Sequence, residues 1–247
     1  MLFFFKNKKL VVDAFIGEEY IHAYNYAPID HANKFYPEWW KKLPKVEFDW
    51  DQLNRTNETM RTCSGFLDHY SKGLIIPMWS DLAIRTERMM FKYQFSDEIS
   101  RCEWHDLSQR IGFYNDHMNV KIISPWLLSS EKNIHFTYIP AFWNNETKPE
   151  YEIAMGTISG YYQHATHINL LIRGDKEIMI PFRQPMVHLI PNTDREIDLR
   201  RHVIPKNEVE KIRNKSASVS FVGSYQKVKK YRDNTEKSKC PFHKIIK

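Results

Sequence analysis

Residues 167–180 read HINLLIRGDKEIMI, and this stretch decides the class of fold. Two apolar, β-prone runs, His167–Arg173 and Glu177–Ile180, flank the dipeptide Gly174-Asp175. Runs of about four to eight such residues are typical of strands, and a glycine-containing dipeptide between them is typical of a tight hairpin turn. The stretch therefore predicts two neighbouring strands joined by a hairpin.

Similar runs, separated by turn-forming residues, occupy the chain from residue 74 onwards. The others are Leu74–Pro77, Leu82–Arg85, Met89–Phe95, Val120–Ile123, His135–Ile139, Tyr151–Ile158 and Met186–Ile190. Alternating βαβ units would need helical patterns between the runs, and the sequence lacks them. We therefore expect a mainly β fold, a barrel or a sandwich, with a second hairpin loop at Asn144-Asn145.

Two helices are predicted in the first third of the chain. The segment His31–Leu43 has a proline at residue 37, where a first helical turn tolerates it, and Pro44 ends the helix. From Thr56 to Ser71 apolar residues recur with helical spacing, and Gly73 follows as a terminator. The residues expected to pack this second helix on the β domain are Met60, Leu67 and Tyr70.

These elements divide the chain into three parts. Residues 1–73 are expected to form an N-terminal segment with two short helices packed on the core, and residues 74–204 the β core domain. After Pro205, the helical pattern Asn207–Arg213 and a β-prone run Val219–Val222 lead into a basic tail. We therefore assign residues 205–247 to a C-terminal helix and tail.

The composition is that of a folded, soluble chain. Of its 247 residues 42% are hydrophobic and 27% charged, which excludes the disordered and fibrous classes. The apolar start of the chain is broken by Lys6, so it is too short for a membrane span or a signal peptide. Three widely spaced cysteines do not form a disulfide framework. We expect a cytoplasmic protein with no membrane partner.

The charge is concentrated at the C-terminal end. Residues 205–247 hold 12 Lys/Arg and 4 Asp/Glu, a net charge of +8, whereas the rest of the chain carries −2. In residues 225–239 cations alternate with two tyrosines, as they do in proteins that bind single-stranded nucleic acid. The same pattern fits a tail that is strapped onto the β domain or onto a second subunit. The strap is the favoured reading, because apolar residues spread among the lysines of the tail are costly to leave in water.

Several stretches resemble an uncharacterised protein family of tailed phages of marine bacteria, with relatives in some bacterial genomes. The matching residues are Glu38–Pro44, Cys63–Asp68, Lys72–Asp81, His105 with Gln109, Lys121–Trp126 and Lys239–Phe242. This resemblance implies a phage-type protein acting in the host cytoplasm. It brings no activity with it.

A more distant pattern resembles the β-clip fold of dUTPases and dCTP deaminases. It comprises Gly156–Tyr161, the strand His167–Arg173, the turn after it, and Ile178–Ile190. The resemblance implies a homo-oligomer that binds a nucleotide-like ligand. However, Ser159 replaces the aspartate that orients water in those enzymes, Arg183 replaces a glycine, and His188 replaces a glutamine. A serine cannot act as general base without a second base beside it, so that family's chemistry is expected to be lost.

Aromatic and polar residues near these motifs are candidates for a binding site, since pockets combine apolar walls with a few polar groups. The predicted ligand-binding residues are Trp79, Asp81, His105, Gln109, Trp126, Ser159, Tyr161 and His164. Neutral imidazoles are common metal ligands. The predicted metal ligands are His164, His167 and His105; the alternative is a polar loop beside a core strand.

Three functions remain open at this stage. The first is a diverged β-clip protein that binds a small anionic or nucleotide-like ligand. The second is a virion structural or assembly protein, because β-clip domains also serve in capsids. The third is a metal-dependent oxygenase that uses the three histidines. No motif assigns a reaction or a cofactor, so the sequence does not decide whether the protein is an enzyme.

Overall fold

A computed structural model describes residues 8–49, 55–88, 90–110, 112–162, 164–217 and Lys229. The fold is mainly β, with 42% of residues in strands and 21% in helices, and the strands do not close into a barrel. The predicted β class is therefore confirmed, whereas the likeness to a β-clip stays a prediction. No helix in the described ranges is long and apolar enough to span a membrane.

The chain contains 17 described strands and four α-helices. The strands are β1 (Leu10–Gly17), β2 (Asp30–His31), β3 (Val46–Asp49), β4 (Arg55–Glu58), β5 (Leu74–Pro77), β6 (Leu82–Glu87), β7 (Met90–Phe95), β8 (Cys102–Trp104), β9 (His117–Ile122), β10 (Leu127–Ser129), β11 (Phe136–Pro140), β12 (Glu152–Ile153), β13 (Gly156–Ile158), β14 (Ile168–Arg173), β15 (Lys176–Ile180), β16 (Pro185–Pro191) and β17 (Ile197–Ile204). The helices are α1 (Ile21–Tyr26), α2 (Glu38–Lys42), α3 (Ser64–Ser71) and α4 (Lys206–Ala217).

The strands form five small sheets around one main core. Their orders are β10-β1-β17, β13-β11-β16-β5-β2, β12-β14-β9-β8, β15-β6-β7 and β3-β4. Buried side chains from four of these sheets meet in one apolar cluster, which includes Val12, Ile76, Val120, Leu170 and Ile178. Among the described strands, every pairing is antiparallel except that of β1 with β17.

The N-terminal segment contributes more to the core than the sequence prediction assigned to it. Strand β1 is the central strand of its sheet and runs parallel to β17 over eight residues. Its alternate residues Leu10, Val12, Ala14 and Ile16 are fully buried. Because β1 completes the sheet that β10 and β17 begin, the β core includes residues from both ends of the described chain.

The prediction of a hairpin at Gly174-Asp175 is wrong. Strand β14 pairs with β9 and β12, whereas β15 pairs with β6. Gly174 has a φ of 67° and turns the chain from one sheet into another. The loop at Asn144-Asn145 likewise joins β11 to β12, which belong to different sheets. Local turn chemistry does not distinguish a hairpin from a turn between sheets.

The helix predicted from Thr56 to Ser71 is half the expected length. Residues 55–58 form β4, which pairs with β3, and α3 begins only at Ser64. Phe66 and Tyr70 face the core, whereas Leu67 is 36% exposed. The prediction was therefore correct for Tyr70 and wrong for Leu67, since the helix is rotated relative to the expected apolar face.

The predicted C-terminal helix is confirmed and longer than expected, because α4 extends to Ala217. Its residues Val209 and Ile212 pack against Phe15 and Leu127. The predicted run Val219–Val222 and the tail lie outside the described residues, apart from Lys229. The Nζ atom of Lys229 lies 5.7 Å from the ring centroid of Tyr162.

Candidate anion-binding site

The sheet β12-β14-β9-β8 has one apolar and one polar face. In β9 the side chains of Met118, Val120 and Ile122 are buried in the core, while the residues between them are half-buried. Side chains alternate across a strand, so the residues between them point to the opposite side of the sheet. The residues of this polar face are His117, Asn119 and Lys121 of β9, Asn169, Leu171 and Arg173 of β14, Glu103 of β8 and Glu152 of β12.

Lys121 lies in the middle strand of the polar face and is surrounded by polar groups. The register places it directly opposite Asn169 on one side and Glu103 on the other. Its Nζ donates to Glu103 Oε2 at 2.9 Å, and Arg101 Nη2 lies 3.9 Å from Glu103 Oε1. The hydrogen bond from Lys121 lowers the pKa of Glu103. One ionised carboxylate is thus shared by two cations.

His167 lies one residue before β14, at the end of the polar face nearest Arg101. The hydroxyl of Tyr138 donates to the carbonyls of His167 and Thr166, at 2.9 and 3.1 Å, which holds the backbone in place. The imidazole Nδ1 is buried and has no hydrogen-bond partner among the described residues.

The imidazole of His167 is neutral in positively charged surroundings. Burial lowers the pKa of His167 to about 3, and the charges of Lys121, Arg213 and Arg101 act in the same direction, against Glu103. A charged imidazole is disfavoured both by lost hydration and by like charges nearby. His167 therefore carries no charge at neutral pH.

Arg213 reaches the same place from α4. The packing of α4 on β1 and β10 positions its guanidinium, whose Nη2 donates to the carbonyl of Ser124 at 3.3 Å. Its Nε is buried and has no hydrogen-bond partner in the described part of the chain. Burial lowers the pKa of Arg213. The other ionisable groups that act on it are Tyr20, Arg101, Glu19 and Glu210.

The loop that leads into His167 is fixed by polar contacts with the segment around β10. His164 Nδ1 donates to the carbonyl of Leu128 at 2.8 Å, and the backbone N–H of Leu128 donates to the His164 carbonyl. The hydroxyl of Thr166 donates to the Trp126 carbonyl at 2.8 Å and lies 2.8 Å from Ser124 Oγ. These contacts hold the loop in one position relative to Arg213, because Ser124 also accepts from Arg213.

Gly160 allows this loop to approach the end of β10 closely. A Cβ atom at residue 160 would lie 2.8 Å from Ser130 Oγ and 3.0 Å from the Ser130 backbone N. We therefore expect Gly160→Ala to lower the free energy of unfolding by about 1–3 kcal/mol, measured by urea denaturation, because the backbone must shift. Gly156→Ala is the control, since a Cβ at that glycine has no heavy atom within 4 Å. Equal losses in the two variants would contradict the close approach.

Four of the predicted ligand-binding residues lie in or against this loop. Trp126 and Ser159 are buried, and Trp126 Nε1 and Ser159 Oγ have no hydrogen-bond partner among the described residues. His164 is also buried, and Tyr161 is half-buried with its ring 4.9 Å from that of Tyr162. The structure brings these four residues together.

Trp79 and Asp81 lie elsewhere, in a cleft of about 270 Å³ beside α1. Their polar atoms already have partners in the fold. Trp79 Nε1 donates to Ser100 Oγ at 2.9 Å, and Asp81 Oδ1 accepts from the backbone N–H of Phe182 at 2.8 Å. The structure therefore separates these two residues from the loop at Ser159–His167.

His105 and Gln109 contact each other, with His105 Nδ1 2.6 Å from Gln109 Oε1. The backbone N–H of His105 donates to the carbonyl of Asn119, near the start of β9. His167 directly precedes Ile168, which pairs with Ile122 at the end of β9. The two histidines are thus about 13 Å apart along β9 and lie on opposite sides of it.

This separation is too large for one metal ion to bind both histidines. Across the described residues, no three His, Cys, Asp or Glu side chains form a group that could hold a metal ion. The geometry therefore does not assemble the predicted ligand set His105, His164 and His167.

The sequence prediction missed the cations of the site. Lys121 stands between the apolar residues Val120 and Ile122, a period of two that indicates a strand with one polar face. Arg101 and Arg213 gave no such signal, because only the tertiary structure brings β8 and α4 beside His167. Comparisons of this chain with protein-family models, with curated proteins and with solved structures found no match.

Proposed function

We propose that this protein binds a small anionic ligand at the polar face, through the group formed by Arg101, Lys121, His167 and Arg213, hereafter the cationic group. One arrangement carries the proposal: Arg101 and Lys121 share the carboxylate of Glu103, and the buried Nδ1 of His167 and Nε of Arg213 have no hydrogen-bond partner among the described residues. Lys121, Arg213 and Arg101 all act on the imidazole of His167, against the one carboxylate of Glu103. The immediate surroundings of that imidazole thus have an excess of positive charge. An anion placed there would reduce this excess.

The accessibility of these side chains supports binding from solvent. The side chain of Arg101 is 61% exposed and that of Lys121 is 22% exposed. Arg213 and His167 are half-buried, so the ligand would be partly removed from water. Electrostatic attraction is stronger in such a place than on an open surface, because the effective dielectric constant is lower. Guanidinium groups are also well suited to planar or tetrahedral oxyanions.

This proposal is one of binding, with no reaction assigned. Ser159, the residue that replaces the catalytic aspartate in the β-clip resemblance, is only 2% exposed and lies beside the close approach of Gly160 to Ser130. A buried hydroxyl at this position is poorly placed to activate water. The proposed role is therefore recognition of an anion rather than dUTP hydrolysis.

The proposal is tested with Lys121→Gln and inorganic phosphate. We expect the wild-type protein to bind phosphate in isothermal titration calorimetry, and the variant to bind about tenfold more weakly, because one charge-assisted hydrogen bond is lost. Phosphate should also raise the pKa of His167 in an NMR titration, since an anion stabilises the imidazolium. Both effects should decrease with added salt.

The control is Lys92→Gln, because Lys92 is exposed on β7 and belongs to another sheet. This variant has the same change in net charge, so it should bind phosphate as the wild type does. Equal weakening in both variants would show that only the net charge matters. Absence of phosphate binding in the wild-type protein, with no change in the His167 titration, would refute the proposed function.

A further inference from the structure

Two carboxamides beside the cationic group have unused hydrogen-bonding capacity. The Oδ1 atoms of Asn119 and Asn169 are buried and have no hydrogen-bond partner among the described residues. Asn169 is directly opposite Lys121, and Asn119 is two residues from Lys121 on the same strand face. Both residues are half-buried, so they lie near the surface.

Such atoms need an explanation, because a buried acceptor without a partner costs about 1–3 kcal/mol and is rare in folded proteins. A carboxamide oxygen accepts hydrogen bonds from O–H or N–H groups and repels anionic oxygens. The two asparagines therefore complement hydrogen-bond donors. They differ in this respect from Lys121, Arg101 and Arg213, which complement an anion.

The polar face continues past the asparagines into a cleft of about 720 Å³. Leu171, which pairs with Asn119, lines this cleft, as do His117 and Arg173 at the end of the same face. His117 and Lys121 are four positions apart in the sequence, a distance of about 13 Å along β9. The face thus provides cations at one end, hydrogen-bond acceptors in the middle and open space at the other end.

We propose that the anionic ligand is a phosphate monoester whose organic part carries hydroxyl groups. This inference rests on the proposed function. The phosphate contacts the cationic group, and hydroxyl groups donate to Asn119 and Asn169 as the organic part extends toward the cleft. The asparagines thus select the ester over free phosphate, while the cations supply attraction that any phosphate shares.

The test compares ribose 5-phosphate with butyl phosphate by isothermal titration calorimetry on the full chain. The two esters carry the same phosphate group, but only the first has hydroxyl groups. We expect ribose 5-phosphate to bind about tenfold more tightly than butyl phosphate, as one additional net hydrogen bond predicts. In Asn119→Leu and Asn169→Leu the preference for ribose 5-phosphate over butyl phosphate should fall to within about twofold, because leucine accepts no hydrogen bond.

The outcomes separate this inference from the proposed function. If the wild-type protein binds both esters and inorganic phosphate with equal affinity, the inference fails and the proposed function stands. If the preference for ribose 5-phosphate persists in both variants, the assignment to the asparagines is wrong. If none of the three compounds binds, the proposed function fails and the inference fails with it. Because the comparison of the two esters needs only the wild-type protein, it is decisive even where a variant does not fold.

Discussion

Replacement of Phe66 by alanine is expected to lower the free energy of unfolding by about 3–5 kcal/mol, the range for truncating a buried aromatic side chain. Phe66 of α3 is 3% exposed. Its ring centroid lies 4.9 Å from that of Tyr70, 5.3 Å from that of Trp40 and 5.6 Å from that of Trp143. These contacts join α3, α2 and the loop after β11, so their loss leaves a cavity between three elements. Urea denaturation with a linear extrapolation measures the effect.

Leu67→Ala is the matched control, because Leu67 is adjacent in sequence and 36% exposed. We expect this variant to lose less than about 1 kcal/mol, as exposed positions usually do. A loss at Leu67 as large as that at Phe66 would mean that α3 packs through a different face. The pair therefore tests the rotation of the helix, which the sequence pattern alone predicts incorrectly.

Acidification is expected to cost about 3 kcal/mol of stability through His188 alone. His188 of β16 is fully buried, and burial lowers its pKa to about 4. The unfolded chain has the ordinary histidine pKa of about 6.5, so it binds a proton more readily than the folded chain does. The stabilising contribution is thus present above pH 6.5 and is lost as the pH falls toward 4. The pKa of His167 is lowered to about 3, so acidification destabilises the fold through this residue too, over a wider pH range.

The contacts of His188 explain why its ring stays neutral. Its Nε2 lies 2.7 Å from the carbonyl of Lys72, which can only accept, so Nε2 carries the proton. Its Nδ1 then accepts from Nε2 of His69 at 3.2 Å. Protonation of Nδ1 would place two donors against each other. Burial also lowers the pKa of His69, and the like charge of a protonated His69 lowers the pKa of His188 further.

His188→Gln removes the titrating ring and keeps an N–H donor for the Lys72 carbonyl. We measure the free energy of unfolding by urea denaturation at pH 7 and at pH 4. The decrease between the two pH values should be about 3 kcal/mol smaller in the variant than in the wild-type protein. Parallel pH dependence in the two proteins would contradict the buried neutral histidine. If the variant does not fold, an NMR titration of His188 in the wild-type protein provides the test. A pKa near 6.5 would exclude a buried neutral imidazole at this position.

Much of the local structure could be predicted from the sequence. The runs at Leu74–Pro77, Leu82–Arg85 and His167–Arg173 correspond closely to β5, β6 and β14. These predictions succeeded because β-branched and aromatic residues favour extended backbone whichever strand they pair with. In the loop that leads into His167, the hydrogen bonds between His164 and Leu128 explain why the side chain of His164 is buried.

Pairing between strands was beyond the reach of local patterns. Gly174-Asp175 has the composition of a hairpin, yet β14 and β15 join different sheets. The segment Thr56–Ser71 has helical spacing, yet its first residues pair with β3. At Gly174-Asp175 the free energy of burying the apolar side chains of β14 and β15 in a shared core outweighs the preference of a short segment.

The sequence by itself determined the β class of this protein and the positions of several of its strands. Only the tertiary structure decided that Arg101, Lys121 and Arg213 lie around His167, because β9 pairs with β8 and β14 and α4 reaches this place through the packing of the core. Composition locates most of the net positive charge after residue 204, whereas the candidate site takes its cations from three separate segments. The physical reason is that electrostatic fields depend on distances in space, and these are fixed by burial of the apolar faces rather than by the order of charges along the chain.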